Sequence, residues 1–125
     1  MGKFLEKSVG IEQVKGDVFK TLNNLTYISD KTQAILVPQG FNTDGYSKPE
    51  FTHILVGDNF SDDIRCSILH DYLCQNHGYY EGKKFYPLTF KEANDLFYEA
   101  MRSLGIGRFK ACLMRFAVNF NPKRW

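Results

Sequence analysis

The adjacent pair His70 and Asp71 is the part of the sequence best suited to chemistry. It lies in the segment 61–77, where apolar residues cover more than half of a helical wheel. An imidazole and a carboxyl group are costly to bury there unless they are hydrogen-bonded, bind a metal ion or contact water. The pair is therefore a candidate functional site. Two other interpretations stay open: a structural hydrogen bond in the core, and a strip of helix that faces solvent.

A second helix, predicted over 89–104, supplies the natural partner for this pair. Asn94 lies at the border of its apolar face, whereas Asp95 lies on the solvated side, so we expect Asn94 to meet His70. An amide oxygen can orient an imidazole ring, but it cannot stabilise an imidazolium as a carboxylate does.

The loop over 38–50 is the second candidate region, because long ordered loops in small domains often carry function. Its residues that suit a tight turn or a bound ligand are Gly40, Phe41, Thr43, Asp44, Gly45 and Ser47. A rigid turn that fixes the fold and a ligand or metal site both stay open as interpretations.

The elements that position these residues predict an α+β fold: a small N-terminal β-hairpin or sheet followed by a three-helix C-terminal half. The hairpin is predicted over 17–28 and 33–37, and the helices over 61–77, 89–104 and 108–120. The predicted helix boundaries are an N-cap at Ser61, a capping box from Thr89 to Glu92, and C-terminal glycines at Gly78 and Gly105. The whole chain, 1–125, is expected to form one domain.

Composition narrows the class of protein. The net charge of +2 is too small to indicate nucleic acid or a membrane, and no apolar run approaches the length of a membrane span. Cys66, Cys74 and Cys112 are odd in number and lie in apolar helical patterns, so we expect reduced core thiols in a cytoplasmic protein. The stretch 108–125 is basic and aromatic, and we expect a solvated basic face over an aromatic core face there rather than a nucleic-acid surface.

Aromatic residues make up 15% of the chain, with 11 Phe, 7 Tyr and 1 Trp. Helical spacing assigns five of them to core stripes: Phe90, Phe97, Phe109, Phe116 and Phe120. Six others fall in two predicted loops beside the His70 helix: Phe41, Tyr46, Tyr79, Tyr80, Phe85 and Tyr86. If the protein has a binding surface, we expect it at these loops.

Four motifs together resemble an uncharacterised family of small proteins encoded by tailed bacteriophages and prophages. They are VPQGFNTDGYSKP at 37–49, ILHDYL at 68–73, EANDLFYEAM at 92–101 and LMRFAVNFNPKRW at 113–125. The resemblance covers residues 19–125 and leaves 1–16 as an N-terminal extension. Three residues depart from the family pattern: Tyr46 replaces a small residue, Cys74 a Tyr, and Asn94 an Asp.

The pattern H-D-x-x-Y followed by A-D-x-x-F is also similar to the two-helix core of secreted and parvoviral phospholipases A2. This similarity implies that His70 is a general base, that Asp71 binds Ca²⁺ or another divalent cation, and that Asn94 is a weakened orienting residue. Loop 38–47 with Asp44 would then contribute oxygen ligands to the ion. The implied activity is metal-assisted ester hydrolysis.

Two alternatives to this activity remain. An HD-type phosphohydrolase would use His53, His70, Asp71 and a later Asp, but the spacing here is much too compressed. The other class is a non-enzymatic phage protein of virion assembly or host interaction, in which His70 and Asp71 form a structural polar cluster. Its partners would be virion proteins or a host protein, and its location the host cytoplasm or the virion.

Overall fold

The computed structural model describes residues 2–7, 9–15, 18–32, 34–43 and 60–119, and only the backbone of 60–64, 110, 114 and 116–119. Strands dominate the N-terminal part and helices the C-terminal part, so the predicted α+β class is confirmed. The elements are β1 (Lys3–Phe4), β2 (Ile11–Lys15), β3 (Val18–Thr21), β4 (Leu25–Ile28), β5 (Ile35–Val37), β6 (Asn42–Thr43), α1 (Phe60–Asn76), β7 (Gly78–Glu81), β8 (Lys84–Pro87), α2 (Phe90–Ser103) and α3 (Arg108–Asn119).

The N-terminal strands form two antiparallel three-stranded sheets, in the orders β1-β4-β5 and β2-β3-β6. The predicted hairpin is present as β4 and β5, with Leu25 opposite Val37. The prediction of one continuous strand over 17–28 is wrong, because the chain changes sheet between β3 and β4. Asn23 and Asn24 occupy this break, and their side-chain oxygens accept hydrogen bonds from the amides of Gly10 and Gln39.

The first residues of the chain belong to this β structure, although the sequence motifs leave them out. β1 pairs with β4, and β2 pairs with β3. Gly2 is buried so close to the Tyr27 hydroxyl that no side chain fits there. The Arg65 guanidinium donates a 2.9 Å hydrogen bond to the Glu6 carbonyl, which joins this segment to α1.

The predicted helix boundaries are confirmed at α2 and differ at both ends of α1. Helix α1 already begins at Phe60, so Ser61 lies inside it and is not the predicted N-cap. Thr89 and Glu92 form the predicted capping box of α2. Gly105, at φ 85°, ends α2 in a Schellman motif in which its amide and that of Ile106 donate to the Arg102 and Met101 carbonyls. At the end of α1 the left-handed residue is His77, at φ 57°, and not Gly78 as predicted. Gly78 instead begins a strand.

A β-hairpin separates the first two helices. Residues 79–86, predicted as a loop, form most of β7 and β8, and the stacked rings of Tyr79 and Tyr86 lie 5.1 Å apart. Tyr79 is buried, whereas Tyr80 and Phe85 pair on the surface at 4.8 Å. The helical half is therefore interrupted by strands, because the cross-strand aromatic pairs, Tyr79 with Tyr86 and Tyr80 with Phe85, stabilise a two-stranded ribbon.

The core lies between α1, α2 and the sheet β1-β4-β5. Its largest fully buried apolar side chains are Tyr27, Phe97, Leu25, Ile35, Ile68, Leu69, Leu73, Met101 and Val37. In the part of the chain that the structure describes, no helix is both long enough and apolar enough to cross a membrane.

Two predictions for α3 are wrong. Phe109, expected in the core, is 78% exposed, and Cys112, expected as a core thiol, is exposed. Among the side chains of this helix that the structure describes, Ala111 is the buried one, and it lies about 200° around the helix from Phe109. Close packing of a small residue against α2 has thus turned the larger apolar residue to solvent. Cys66 and Cys74 are buried as predicted.

Candidate functional site

Helix α1 is surrounded by the rest of the protein over its C-terminal half, where nine of the ten residues from 65 to 74 are buried. His70 is fully buried and Asp71 is 4% exposed. The interpretation of these two residues as a solvent-facing strip is therefore wrong. A catalytic site and a structural hydrogen bond remain as interpretations.

His70 contacts Asn94 on α2, which is the pairing that the helical wheel predicts. His70 Nε2 and Asn94 Oδ1 lie 2.7 Å apart, and Asn94 is also fully buried. Because an amide oxygen only accepts hydrogen bonds, this contact requires a proton on Nε2. In the neutral ring, Nδ1 is then the basic nitrogen.

Two further side chains fix the plane of the His70 ring. The Phe97 ring lies against it with centroids 4.7 Å apart and planes inclined at 31°. Cys74 Sγ lies 3.6 Å from Nε2 and 3.9 Å from Nδ1. The thiol therefore packs beside the ring without pointing at one nitrogen. It occupies the position at which the resembled family pattern has a tyrosine.

Asp71 faces a different neighbour, because successive residues on a helix point about 100° apart. Its Oδ2 accepts a 3.0 Å hydrogen bond from the Gln75 side-chain amide. The same amide group donates a 3.1 Å hydrogen bond to the Asn42 carbonyl in β6. His70 is thus directed to α2, whereas Asp71 is connected through Gln75 to β6, the short strand that follows the turn at 38–41.

The described part of the loop is a closed turn held by Thr21. The Thr21 hydroxyl donates to the Pro38 carbonyl at 3.0 Å and accepts from the Phe41 amide at 3.1 Å. Gly40 adopts φ 86°, and its amide donates to the Thr21 carbonyl at 2.8 Å. The Phe41 ring meets Tyr72 of α1 edge-on at 5.5 Å. This geometry favours a rigid turn for residues 38–41.

The structure brings together only part of the predicted site. Thr43 is buried in β6, beside the contact from Gln75. Asp44, Gly45, Ser47 and His53 lie outside the described residues. Asp95, expected as a surface charge, pairs with Lys91 at 3.0 Å and with Arg115 at 3.3 Å.

A metal centre finds no support among the described side chains. No group of three or more His, Cys, Asp or Glu residues in that part of the chain lies close enough to hold an ion. Asp71 Oδ2 is engaged with Gln75, and the expected co-ligand Asp44 is not described. Of the two predicted metal ligands the structure thus places Asp71, whereas Asp44 lies outside the described residues.

Sequence reasoning missed Thr21 and Gln75. Thr21 lies 17 residues before its acceptor Pro38, and Gln75 lies 33 residues after its acceptor Asn42. Gln75 is spaced four residues from Asp71, and this spacing is the signal that identifies such a pair on a helix. For Thr21 no local signal exists, since its partners come from another strand and turn.

Comparison with known proteins identifies the family of this chain. Residues 19–118 match the family described as "Protein of unknown function (DUF1353)". The chain belongs to this family. It is also 33% identical over 84 residues to "Uncharacterized protein y4iH" of Sinorhizobium fredii. That alignment covers 66% of this chain but 31% of the relative, so the chain spans about a third of that protein's length.

No solved structure matches the chain significantly. Membership of an uncharacterised family is thus confirmed. The phage origin and the likeness to phospholipases A2 stay predictions.

Proposed function

We propose that this DUF1353 protein is a hydrolase in which His70 acts as a general base towards an ester substrate. The observation that carries the proposal is the 2.7 Å contact between His70 Nε2 and Asn94 Oδ1. This contact fixes the ring tautomer and leaves Nδ1 as the nitrogen that can accept a proton. An imidazole oriented from one side by an acceptor is the arrangement that general-base catalysis needs.

The proposed reaction uses only His70 and Asn94. A water molecule attacks the ester carbonyl carbon and transfers one proton to Nδ1, while Nε2 keeps its proton and its bond to Asn94. The imidazolium then returns the Nδ1 proton to the leaving alkoxide, and the products are a carboxylic acid and an alcohol. The neutral Asn94 stabilises the imidazolium less than a carboxylate would, so a low turnover rate is expected.

A second candidate function is favoured by a specific observation: His70 and Asn94 both have no exposed surface. In this alternative the pair joins α1 to α2 in a non-enzymatic protein of phage assembly or host interaction. For both candidate functions we propose a phage or prophage origin and a location in the host cytoplasm or the virion. Mass spectrometry of purified virions tests the location directly.

Ester hydrolysis tests the leading proposal. The assay uses p-nitrophenyl acetate, p-nitrophenyl butyrate and mixed phosphatidylcholine–phosphatidylglycerol vesicles, each with and without added CaCl2. We expect His70→Gln to lower the rate by about 100-fold or more, the usual share of a general base. The matched control is His77→Asn, since His77 is exposed and Asn tolerates its left-handed backbone. Equal rates of ester hydrolysis for the wild type and His70→Gln would contradict the proposal that His70 is a general base.

Access to the ring separates the two candidates independently of the substrate chosen. A general base must meet water at Nδ1, so diethyl pyrocarbonate should modify His70 in the folded protein, with exposed His77 as the internal reference. Complete protection of His70, together with a lower melting temperature for His70→Gln and no change in rate, supports the structural alternative. Peptide mass spectrometry reads out both histidines in one sample.

A further inference from the structure

A cavity of about 500 Å³ lies along the outer side of α2, next to the start of α3. Its lining is rich in cations. The residues around it are Lys31, Lys91, Asp95, Tyr98, Glu99, Arg102, Arg108 and Arg115. Five of these eight side chains are basic and two are acidic, although the whole chain carries a net charge of only +2.

This cavity is separate from the His70 site. Lys91, Asp95, Tyr98 and Arg102 follow one another along a single helical strip of α2, at steps of three and four residues. The buried face of the same helix, which includes Asn94, points to the core. A ligand in this cavity would therefore bind on a different face of α2 from the His70–Asn94 pair.

The acids in the cavity neutralise only some of the cations. Asp95 contacts both Lys91 and Arg115. Glu99 accepts a 2.5 Å hydrogen bond from the Tyr27 hydroxyl. The two carboxylates offset two of the five positive charges, so the lining of the cavity keeps an excess of three positive charges.

Those remaining cations are Lys31, Arg102 and Arg108. Arg102 Nη1 donates to the Ile106 carbonyl, a neutral acceptor. Within the described residues, no carboxylate forms an ion pair with any of the three. The net positive charge of the lining is unfavourable in itself, and a bound anion would offset it.

Arg108 adds a second indication. It is the first residue of α3, and the first turn of that helix carries no acidic residue. A cation at this end is opposed by the helix dipole, whereas an anion is favoured by the dipole and by the first-turn amides. A bound anion would therefore offset both the repulsion among the side chains and the unfavourable position of Arg108.

We propose that this cavity binds a small phosphate-bearing ligand with at least two negative charges. Its volume lies within the range of small-molecule sites, about 300–1,000 Å³. Arginine guanidinium groups suit the paired oxygens of a phosphate. A small ligand fits better than a nucleic acid, because the cavity contains two carboxylates and lies on a protein of low net charge.

Sodium pyrophosphate is the probe, titrated by isothermal calorimetry at constant ionic strength. Arg108→Gln and Lys31→Gln are each expected to raise the dissociation constant about tenfold, as loss of a charge-assisted contact does. The matched control is Lys15→Gln, which makes the same charge change at an exposed position in β2. Asp95→Asn releases Lys91 and Arg115 from their ion pairs and is expected to tighten binding about threefold or more.

The proposed phosphate site is supported if pyrophosphate binds more weakly to Arg108→Gln and Lys31→Gln and more tightly to Asp95→Asn. Its affinity for Lys15→Gln should then be unchanged. Equal weakening in all three lysine and arginine variants shows a diffuse charge effect and overturns it. No heat with pyrophosphate overturns it as well. Binding of a single-stranded oligonucleotide without binding of pyrophosphate replaces it with an extended nucleic-acid surface. Circular dichroism of each variant confirms that the fold is retained.

Discussion

His70 Nε2 and Asn94 Oδ1 lie 2.7 Å apart and join α1 to α2 at a point where neither side chain reaches solvent. Asp71, the next residue on α1, is connected in another direction through Gln75 to the Asn42 carbonyl. His70 and Asp71, although adjacent, therefore contact different parts of the protein. His70 belongs to the helix pair, and Asp71 belongs to the junction between α1 and β6.

Asn94→Asp separates chemistry from packing at this pair. A carboxylate stabilises the imidazolium that forms during general-base catalysis, so we expect ester hydrolysis to rise by about tenfold or more. The rate–pH profile should also shift to higher pH, because a negative charge favours the protonated ring. Initial rates across a pH series measure both effects.

The control at the same position is Asn94→Leu, which keeps the approximate size but removes the acceptor. It leaves the buried Nε2–H without its partner and should lower the free energy of unfolding by about 2–3 kcal/mol. Urea unfolding followed by circular dichroism measures the loss. An increase in stability would show that the hydrogen bond contributes nothing net to the fold.

Local signals explain why this contact was predictable. The capping box at Thr89 fixes where α2 begins, and helical periodicity then places Asn94 on the inner border and Asp95 outside. Both signals act within four residues along the chain. The α+β class follows from the same kind of short-range pattern.

Contacts between distant segments explain what was missed. The break between β3 and β4 depends on Asn23 and Asn24, which accept from amides 13 and 15 residues away. The exposure of Phe109 depends on how Ala111 packs against α2. The periodicity of apolar residues along one helix does not determine how that helix is rotated against the helix that it packs on.

Tyr27 makes the stability of the protein sensitive to alkaline pH. Burial raises the pKa of its hydroxyl far above the usual range, and the Glu99 carboxylate that accepts its hydrogen bond adds to this. In the unfolded chain a tyrosine ionises near pH 10, so the unfolded state loses protons first. The contribution of Tyr27 to the free energy of unfolding should therefore be constant below about pH 10 and fall above it.

Tyr27→Phe tests this dependence. At pH 7 it should cost about 1–2 kcal/mol through the lost hydrogen bond, while the decline above pH 10 becomes shallower. Tyr80→Phe is the control, because Tyr80 is 47% exposed. Burial also raises the pKa of Tyr72, so part of the decline should remain in the Tyr27 variant. Urea unfolding at a series of pH values gives each slope.

Glycine is required at position 78 because the backbone of β8 passes very close to it, at Tyr86 and Pro87. The φ of Gly78, 151°, is rare for residues with side chains, and a Cβ there would collide with the Tyr86 carbonyl and lie 2.9 Å from Pro87 Cα. Gly78→Ala should therefore destabilise the protein by about 3 kcal/mol or more.

Gly82 provides the matched control, since it also has a positive φ, 61°, but open space around it. Gly82→Ala should cost about 1 kcal/mol, the price of the backbone conformation alone. Melting temperatures of the two variants rank the effects. Equal losses would show that the conformation matters and the contact with Tyr86 does not.

Thr21→Val tests the turn that holds the loop against α1. Valine has the shape of threonine but lacks the hydroxyl that donates to the Pro38 carbonyl and accepts from the Phe41 amide. Thr21 is 1% exposed, so water does not replace these bonds without rearrangement. The variant should lose about 2–4 kcal/mol of stability, and amide exchange at Phe41 should accelerate.

The matched substitution is Thr26→Val, because the Thr26 hydroxyl makes one hydrogen bond, at 3.1 Å to the Glu6 carboxylate, in a half-buried position. It should cost about 1 kcal/mol and leave exchange at Phe41 unchanged. If Thr21→Val proves no more harmful than Thr26→Val, the loop is held by the Phe41–Tyr72 ring contact and the strand pairing instead.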